Sequence, residues 1–387
     1  MNGSGSTQRC AWRDTGVWLM GDTHVHHRQT GLVRVVDQSS SFGCDFLAFA
    51  EHSFYTDCVE RQPELMERAA RAHPGMILVN GVEWSTPAGN EERSEQVGLM
   101  VPGGREGMPL LVEFLSKYDT RVAGVASGEE AFLEALRWLG RFGEGDVRPL
   151  VILTHPHRPH AAFTASQIRR ALRTGPALAG LCASSRPAEM GSMEVWPWAA
   201  QVGHVCDRLF ADGCRLVMLG ESHFHQHVEE AGTEFWPGEF RRNYVFCPDR
   251  SEAGLFRGLR GGISYFVLGD IISDLEFGAS SGGASIMMGE ALTVPADGSV
   301  EVTLRFVEKR TVEVVELIGN PLGDVRVVAS VRGSDLVREA GRAACCVTIK
   351  VGRRPCYLRA RGSARIERPY PTKAWFYTNP LRLTPSE

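Results

Sequence analysis

At 387 residues, with 43% hydrophobic and 23% charged side chains, the chain exceeds most single cores, so two domains are expected and general disorder is excluded. A formal net charge of −4 gives no support for nucleic acid or an anionic membrane as the main partner. No apolar leader or bilayer-length run is present, which predicts a cytoplasmic protein, and ten cysteines without a C-x-x-C pair read as reduced thiols.

Residues 1–16 read as a disordered or extended N-terminus. From 17 to 278, short apolar runs alternate with helical spacing. The runs are "VWLM", "DFLAFA", "MILVNGVE", "QVGLMV", "LVILTH", "SMEVW", "RLVMLGE" and "NYVFC", while "PELMERAARAH" and "GEEAFLEALRWLGRF" place apolar residues on one helix face. Continuous apolar strands separated by helices predict a parallel sheet buried on both sides, and this many units predict a closed barrel. After about residue 280 the period becomes two: Val300, Val302, Leu304 and Phe306 share one face of "VEVTLRF". A small β-sandwich is expected over 286–387, with "ASSGGAS" (279–285) as linker. Its expected role is to cover a barrel face or to mediate a homo-oligomer.

Chemistry should collect at the C-terminal ends of barrel strands. Asp22, His24 and His26, spaced by two, fall on one face of an extended backbone. Glu51 and His52 follow the second run, Glu83 the third, His155 and His157 a later one, Glu194 ends "SMEVW", and "LGESHFH" supplies Glu221, His223 and His225. Seven of the twelve histidines stand at these places, and imidazoles with carboxylates suit zinc, manganese or iron. Taken alone, Glu194 reads more readily as a solvated charge, and Arg158 equally as an exposed charge or an anion clamp. The aromatics Phe54, Tyr55, Trp84, Trp196, Trp198, Phe224 and Trp236 either pack core or face a substrate.

In their order, "GDTHVHH", "FLAFAEHS", "NGVEWS", "LTHPH" and "LGESHFH" resemble the successive motifs of the polymerase and histidinol phosphatase (PHP) superfamily of metallohydrolases. "LRGGISYFVLGD" and "AWFYTNPLRL" are similar to its carbaryl-hydrolase-like (CehA/McbA-like) branch. The resemblance implies a distorted, TIM-like (β/α)7 barrel followed by a β-domain, and two or three divalent ions (Zn, Mn or Fe) that hydrolyse phosphoesters. Carried over, His24 and His26 bind one ion, Glu83 bridges to a second that His155 also holds, and His52 and His225 bind a further ion or line the site. His223 stands where the family usually has aspartate, which removes a negative charge and favours nitrogen-preferring metals. Glu51 replaces an aspartate, "HHRQTG" lacks the usual serine and acid, and Pro197 stands where asparagine is common. Two metals are therefore expected. His27 and His157 have no counterpart and are expected behind the ligands or facing substrate.

The expected reaction is attack by metal-bound hydroxide on a phosphomonoester or phosphodiester of a small molecule, aromatic or nucleotide-like. Asp22 and Glu51 are expected to orient the imidazoles, His225 or His157 to protonate the leaving group, and Arg28 and Arg158 to meet an anionic group. Hydrolysis of a carbamate, carboxylic ester or amide is the alternative. A metal-dependent nuclease, which needs a basic track, and a non-catalytic metal-binding module rank lower.

Overall fold

The structure is a computed structural model, and it describes residues 9–90, 93–154, 156, 163–184, 199–227, 234–367 and 372–386. The N-terminal part runs β1 (Val17–Val25), α1 (Leu32–Ser41), β2 (Phe46–Phe49), β3 (Glu51–His52), α2 (Thr56–Ala72), β4 (Ile77–Asn90), β5 (Arg93–Val101), α3 (Met108–Tyr118) and α4 (Glu129–Leu139). It continues through β6 (Leu150–Leu153), α5 (Ala165–Thr174), β7 (Leu178–Ser184), α6 (Val205–Ala211), β8 (Val217–Gly220), β9 (Arg241–Cys247), α7 (Glu252–Gly261) and β10 (Ser264–Leu268). Every residue of β2, β6, β8 and β10 is buried, which is why these runs are apolar without alternation. Side chains cap two of the helix N-termini, Thr164 on α5 and Ser251 on α7. Thr164 and Gln167 form a reciprocal capping box on α5, and Glu129 and Glu130 place negative charge on the first turn of α4.

These strands lie in the order β10-β9-β1-β2-β4-β5-β6-β7-β8. Two expectations fail here. The sheet is not wholly parallel: β5 is antiparallel to β4 and β6, and β9 to β1 and β10. No helix separates β4 from β5, so the chain turns straight back, and a direct return forces antiparallel pairing. Nor does the sheet close into a barrel, because β8 makes no ladder with β9 or β10 among the described residues. Side chains fill that seam instead. Asn243 Oδ1 accepts the Gly220 N–H at 2.8 Å while its Nδ2 donates to the Gly220 carbonyl at 2.7 Å. Asn379 Oδ1 accepts the Met218 N–H at 2.8 Å, and its Nδ2 donates to the Met218 and Ser264 carbonyls, each at 3.0 Å. Each carboxamide thus stands in for a missing strand peptide.

The C-terminal part is strand-rich, as expected: β11 (Ile272–Ser281), β12 (Ala284–Met287), β13 (Ala291–Pro295), β14 (Ser299–Glu308), β15 (Val312–Gly319), β16 (Arg326–Arg332), β17 (Val337–Glu339), β18 (Arg342–Lys350), β19 (Cys356–Ile366), β20 (Thr372–Thr378) and β21 (Leu381–Ser386). Five strands form a separate sheet, β12-β11-β14-β18-β17, and the alternation of β14 buries Val300, Val302, Leu304 and Phe306. Residues 279–285 are not a linker: Gly282 and Gly283, both at positive φ, turn the β11–β12 hairpin. The large sheet continues through the pairing of β10 with β20 and on to β19, β21 and β13. Phe306 of the small sheet meets Phe376 of the large one, ring centroids 5.5 Å apart. A buried ion pair adds a second tie, with Arg359 Nε donating to Asp207 Oδ1 at 2.6 Å and Nη2 to Oδ2 at 3.0 Å. Among the described residues no helix is long and apolar enough to cross a membrane.

Candidate metal centre

Strands β1 and β8 end at one rim, β3 (Glu51–His52) lies there, and β4 passes it at Glu83, where its buried apolar run gives way to a carboxylate. On β1 the alternation buries Val25 against the core and turns His24 and His26 to the other face. Their Nε2 atoms stand 3.1 Å apart. Glu83 faces them from β4 with its oxygens divided: Oε1 lies 3.6 Å from His24 Nε2, and Oε2 lies 3.7 Å from His26 Nε2 and 2.6 Å from His52 Nδ1. Gly81 makes this approach possible, because a Cβ there would sit 2.5 Å from the Leu99 carbonyl oxygen and 2.6 Å from that of Phe49.

The loop after β8 adds His223, stacked on His24 with centroids 4.4 Å apart, and His225, 3.9 Å from the His26 ring. His223 has a φ of 52°, a left-handed conformation that non-glycine residues adopt at some expense and that often marks functional sites. One ligand atom each from His24, His26, Glu83 and His223 lie within 4.8 Å of one another, and so do those of His26, His52 and His225. His26 belongs to both groups.

Behind the rings, a layer of buried polar groups fixes their orientation. Burial by itself would raise the Glu51 carboxyl, but hydrogen bonds and the charge of the His26 imidazole hold it well below the usual carboxylate range. Glu51 Oε1 lies 3.4 Å from His26 Nδ1, and its oxygens accept the N–H groups of His27, Arg28 and His52. Asp22, expected to orient an imidazole, accepts backbone N–H groups instead, from His24 at 3.0 Å and Ser222 at 3.0 Å. It therefore locks β1 to the loop after β8, and burial raises its carboxyl to about 6. His225 Nδ1 donates to the His223 carbonyl at 3.0 Å, which leaves Nε2 as the ring's lone-pair nitrogen when neutral. His27 turns away from the cluster and donates to Gln62 Oε1 at 3.0 Å, and burial lowers its proton affinity.

Sequence reasoning places Glu221 at its strand end without a role, and it misses two further supporting residues, Thr154 and Gln62. Glu221 is fully buried, accepts from Thr23 at 3.3 Å and faces His24 Nδ1 at 3.8 Å, and burial reinforced by the Asp22 charge raises its carboxyl well above the usual range. Thr154 Oγ1 is 3.4 Å from the same nitrogen. Gln62 lies on the buried face of α2 with Val59, Pro63, Met66 and Ala69, and a polar residue at such a helical spacing is the signal that could have found it.

His155, His157, Arg158 and Glu194 lie outside the described residues, as do Trp196, Pro197 and Trp198. Of the remaining aromatics, Trp84 and Phe224 are buried core, with Phe224 stacked on Trp236. Phe54 and Tyr55 stay at the rim. Phe54 stacks on His52 at 4.8 Å, and the exposed Arg28 lays its guanidinium 3.8 Å from the Tyr55 ring centre. A small cavity of about 160 Å³ opens there, lined by His26, Arg28, Glu51, His52, Tyr55 and His225.

The donor set fits a divalent cation. Donors of one tetrahedral zinc stand about 3.3 Å apart, and the separations among His24, His26 and Glu83 run from 3.1 to 3.7 Å.

No protein-family model and no curated protein matches the chain. Among solved structures it is similar to a two-domain protein from Bacteroides vulgatus described as containing a predicted PHP-like metal-dependent phosphoesterase, with 15% identity, coverage of 98% of this chain and 100% of that one, and a TM-score of 0.46. A Niemann-Pick type C2 protein from Japanese carpenter ant is similar over 29% of this chain and 91% of its own, with 12% identity and a TM-score of 0.17.

Proposed function

We propose that the chain is a metal-dependent hydrolase of the PHP type, cleaving a phosphomonoester or phosphodiester of a small molecule. The observation that carries this reading is the convergence of His24, His26, Glu83 and His223 within 4.8 Å, all buried, with His26, His52 and His225 beside them. The first group would hold one divalent ion, and His52 and His225 with the second oxygen of Glu83 would hold another, since the single lone-pair nitrogen of His26 serves one ion only. Bound there, such ions would polarise the ester oxygen and lower the pKa of a water to about 7.

The protein's own groups set the rest. Glu51 keeps the His26 ring in place, and the His223 carbonyl fixes the His225 tautomer. Arg28, held against Tyr55, is placed to meet the anionic group of a substrate entering the rim cavity. His155, from the sequence motif "LTHPH", is the candidate to complete the second ion's ligands, with His157 and Arg158 next along the chain.

A carbamate or carboxylic ester is the second reading, favoured by the CehA/McbA-like motifs and by one feature of the rim. Phe54 borders an apolar cavity of about 380 Å³ that Val112, Leu115 and Val122 also line, a place for an aryl group. Elemental analysis of protein purified without added metal, followed by turnover of an aryl phosphate and an aryl carbamate, tests both. Two ions per chain with phosphate release supports the first reading and carbamate turnover the second. Metal-free protein that cannot be loaded would overturn both.

A further inference from the structure

We propose a second ligand site, for a phosphoryl group, at the opposite end of the sheet from the histidine cluster. Strands β1 and β8 run in the same direction through the chain of pairings that links them. Their C-terminal ends carry the imidazoles. At their N-terminal ends lies a cavity of about 260 Å³. Five arginines line it: Arg9 before β1, Arg215 before β8, Arg257 and Arg260 on α7, and Arg382 on β21.

Only two carboxylates, Asp146 and Glu290, share the lining, and Glu290 is already engaged. It accepts the Cys10 and Met287 N–H groups and faces Arg13 at 3.6 Å. Two of the arginines are held by uncharged acceptors. Arg260 donates to the carbonyls of Asp146 at 3.0 Å, Pro149 at 3.1 Å, Arg148 at 3.4 Å and Pro176. Arg382 donates to the Gly289 carbonyl at 3.0 Å. Carbonyls orient these guanidinium groups without neutralising them.

Burial lowers the proton affinity of two of these guanidinium groups. Burial foremost, and then the nearby Arg215 charge, brings Arg382 down to about 10. Burial brings Arg260 down to about 10 as well. A cavity lined by five guanidinium groups and two carboxylates is matched by a dianion with several acceptor oxygens. Guanidinium forks meet phosphoryl oxygens two at a time, and the volume leaves room beyond one phosphate for a small ester substituent. The ligand would tie together the N-terminal segment, α7 and the strands β8 and β21, independently of the metal centre.

The test is calorimetric titration of the purified protein with inorganic phosphate and with glycerol phosphate, in the wild type and in an Arg215→Gln, Arg257→Gln double variant. Neither residue belongs to the metal centre, and metal content should be unchanged. Saturable binding by the wild type that falls roughly tenfold or more in the double variant is expected, since charge-assisted hydrogen bonds are lost. Tighter binding of glycerol phosphate than of phosphate would identify an ester as the ligand, and the reverse would identify free phosphate. Equal affinity in wild type and variant, absence of saturation at millimolar phosphate, or an equal effect of chloride at matched ionic strength would each overturn the proposal. Should the double variant fold poorly, Arg257→Gln alone must weaken binding at least about threefold, and an unchanged affinity there overturns it equally.

Discussion

Glu83 supplies the single carboxylate of the four-residue cluster, so its charge is the main local counterweight to bound cations. Glu83→Gln keeps the shape and removes that charge. Metal retained after dialysis, read by elemental analysis, is expected to fall at least about 100-fold in affinity, and turnover should fall with it. Glu51 acts one layer back. Its oxygens accept three backbone N–H groups, and a glutamine offers one acceptor oxygen in their place. Glu51→Gln should therefore lower stability by about 2–4 kcal/mol in a urea titration and weaken metal binding roughly 10–100-fold. At this scale the sequence was informative where neighbours along the chain decide the outcome. The alternation of His24 and His26 on a strand needs no tertiary knowledge. Asp22 was misjudged because its partner, the Ser222 N–H, lies 200 residues away, and nothing local tells a carboxylate whether it will meet an imidazole or a peptide.

Among the elements, β8 is the one whose surroundings the sequence described least well. "RLVMLGE" announces a buried strand, and the strand is there. Its missing ladder partner and the two asparagines that replace it were not legible, since Asn243 and Asn379 look like ordinary polar residues at strand positions. The β4–β5 return could have been anticipated: the residues between "NGVE" and "QVGLMV" carry no helical spacing, and a parallel crossover requires a dozen or more residues with a helix as its usual form. Asn379→Ala removes the acceptor of the Met218 N–H and the donor to two carbonyls. Stability should drop by about 3 kcal/mol, and hydrogen exchange should quicken at the Met218 amide while the β1–β2 amides keep their protection.

For the molecule as a whole, the continuous sheet from β10 into β20 and the Arg359–Asp207 pair couple the α/β part to the strand-rich part. Both partners of that pair are fully buried. Asp207→Asn leaves the guanidinium without its counter-charge, and a loss of about 3–5 kcal/mol is expected, seen as a lower midpoint in thermal or urea unfolding. If instead the variant unfolds at the wild-type midpoint, the pair does not link the two parts energetically.

The asparagine seam has a bearing on ion exchange. Strand β8 leads directly into Glu221, His223 and His225, and among the described residues the hydrogen bonds along its free edge to β9 and β10 are made by carboxamides. Parting this edge leaves the strand ladders intact, and for two imidazoles to withdraw together the loop must also release the His26 N–H from the Phe224 carbonyl and the Ser222 N–H from Asp22. A chelator should accordingly strip the protein faster once Asn379 is truncated, with the release rate tracking how often the edge opens.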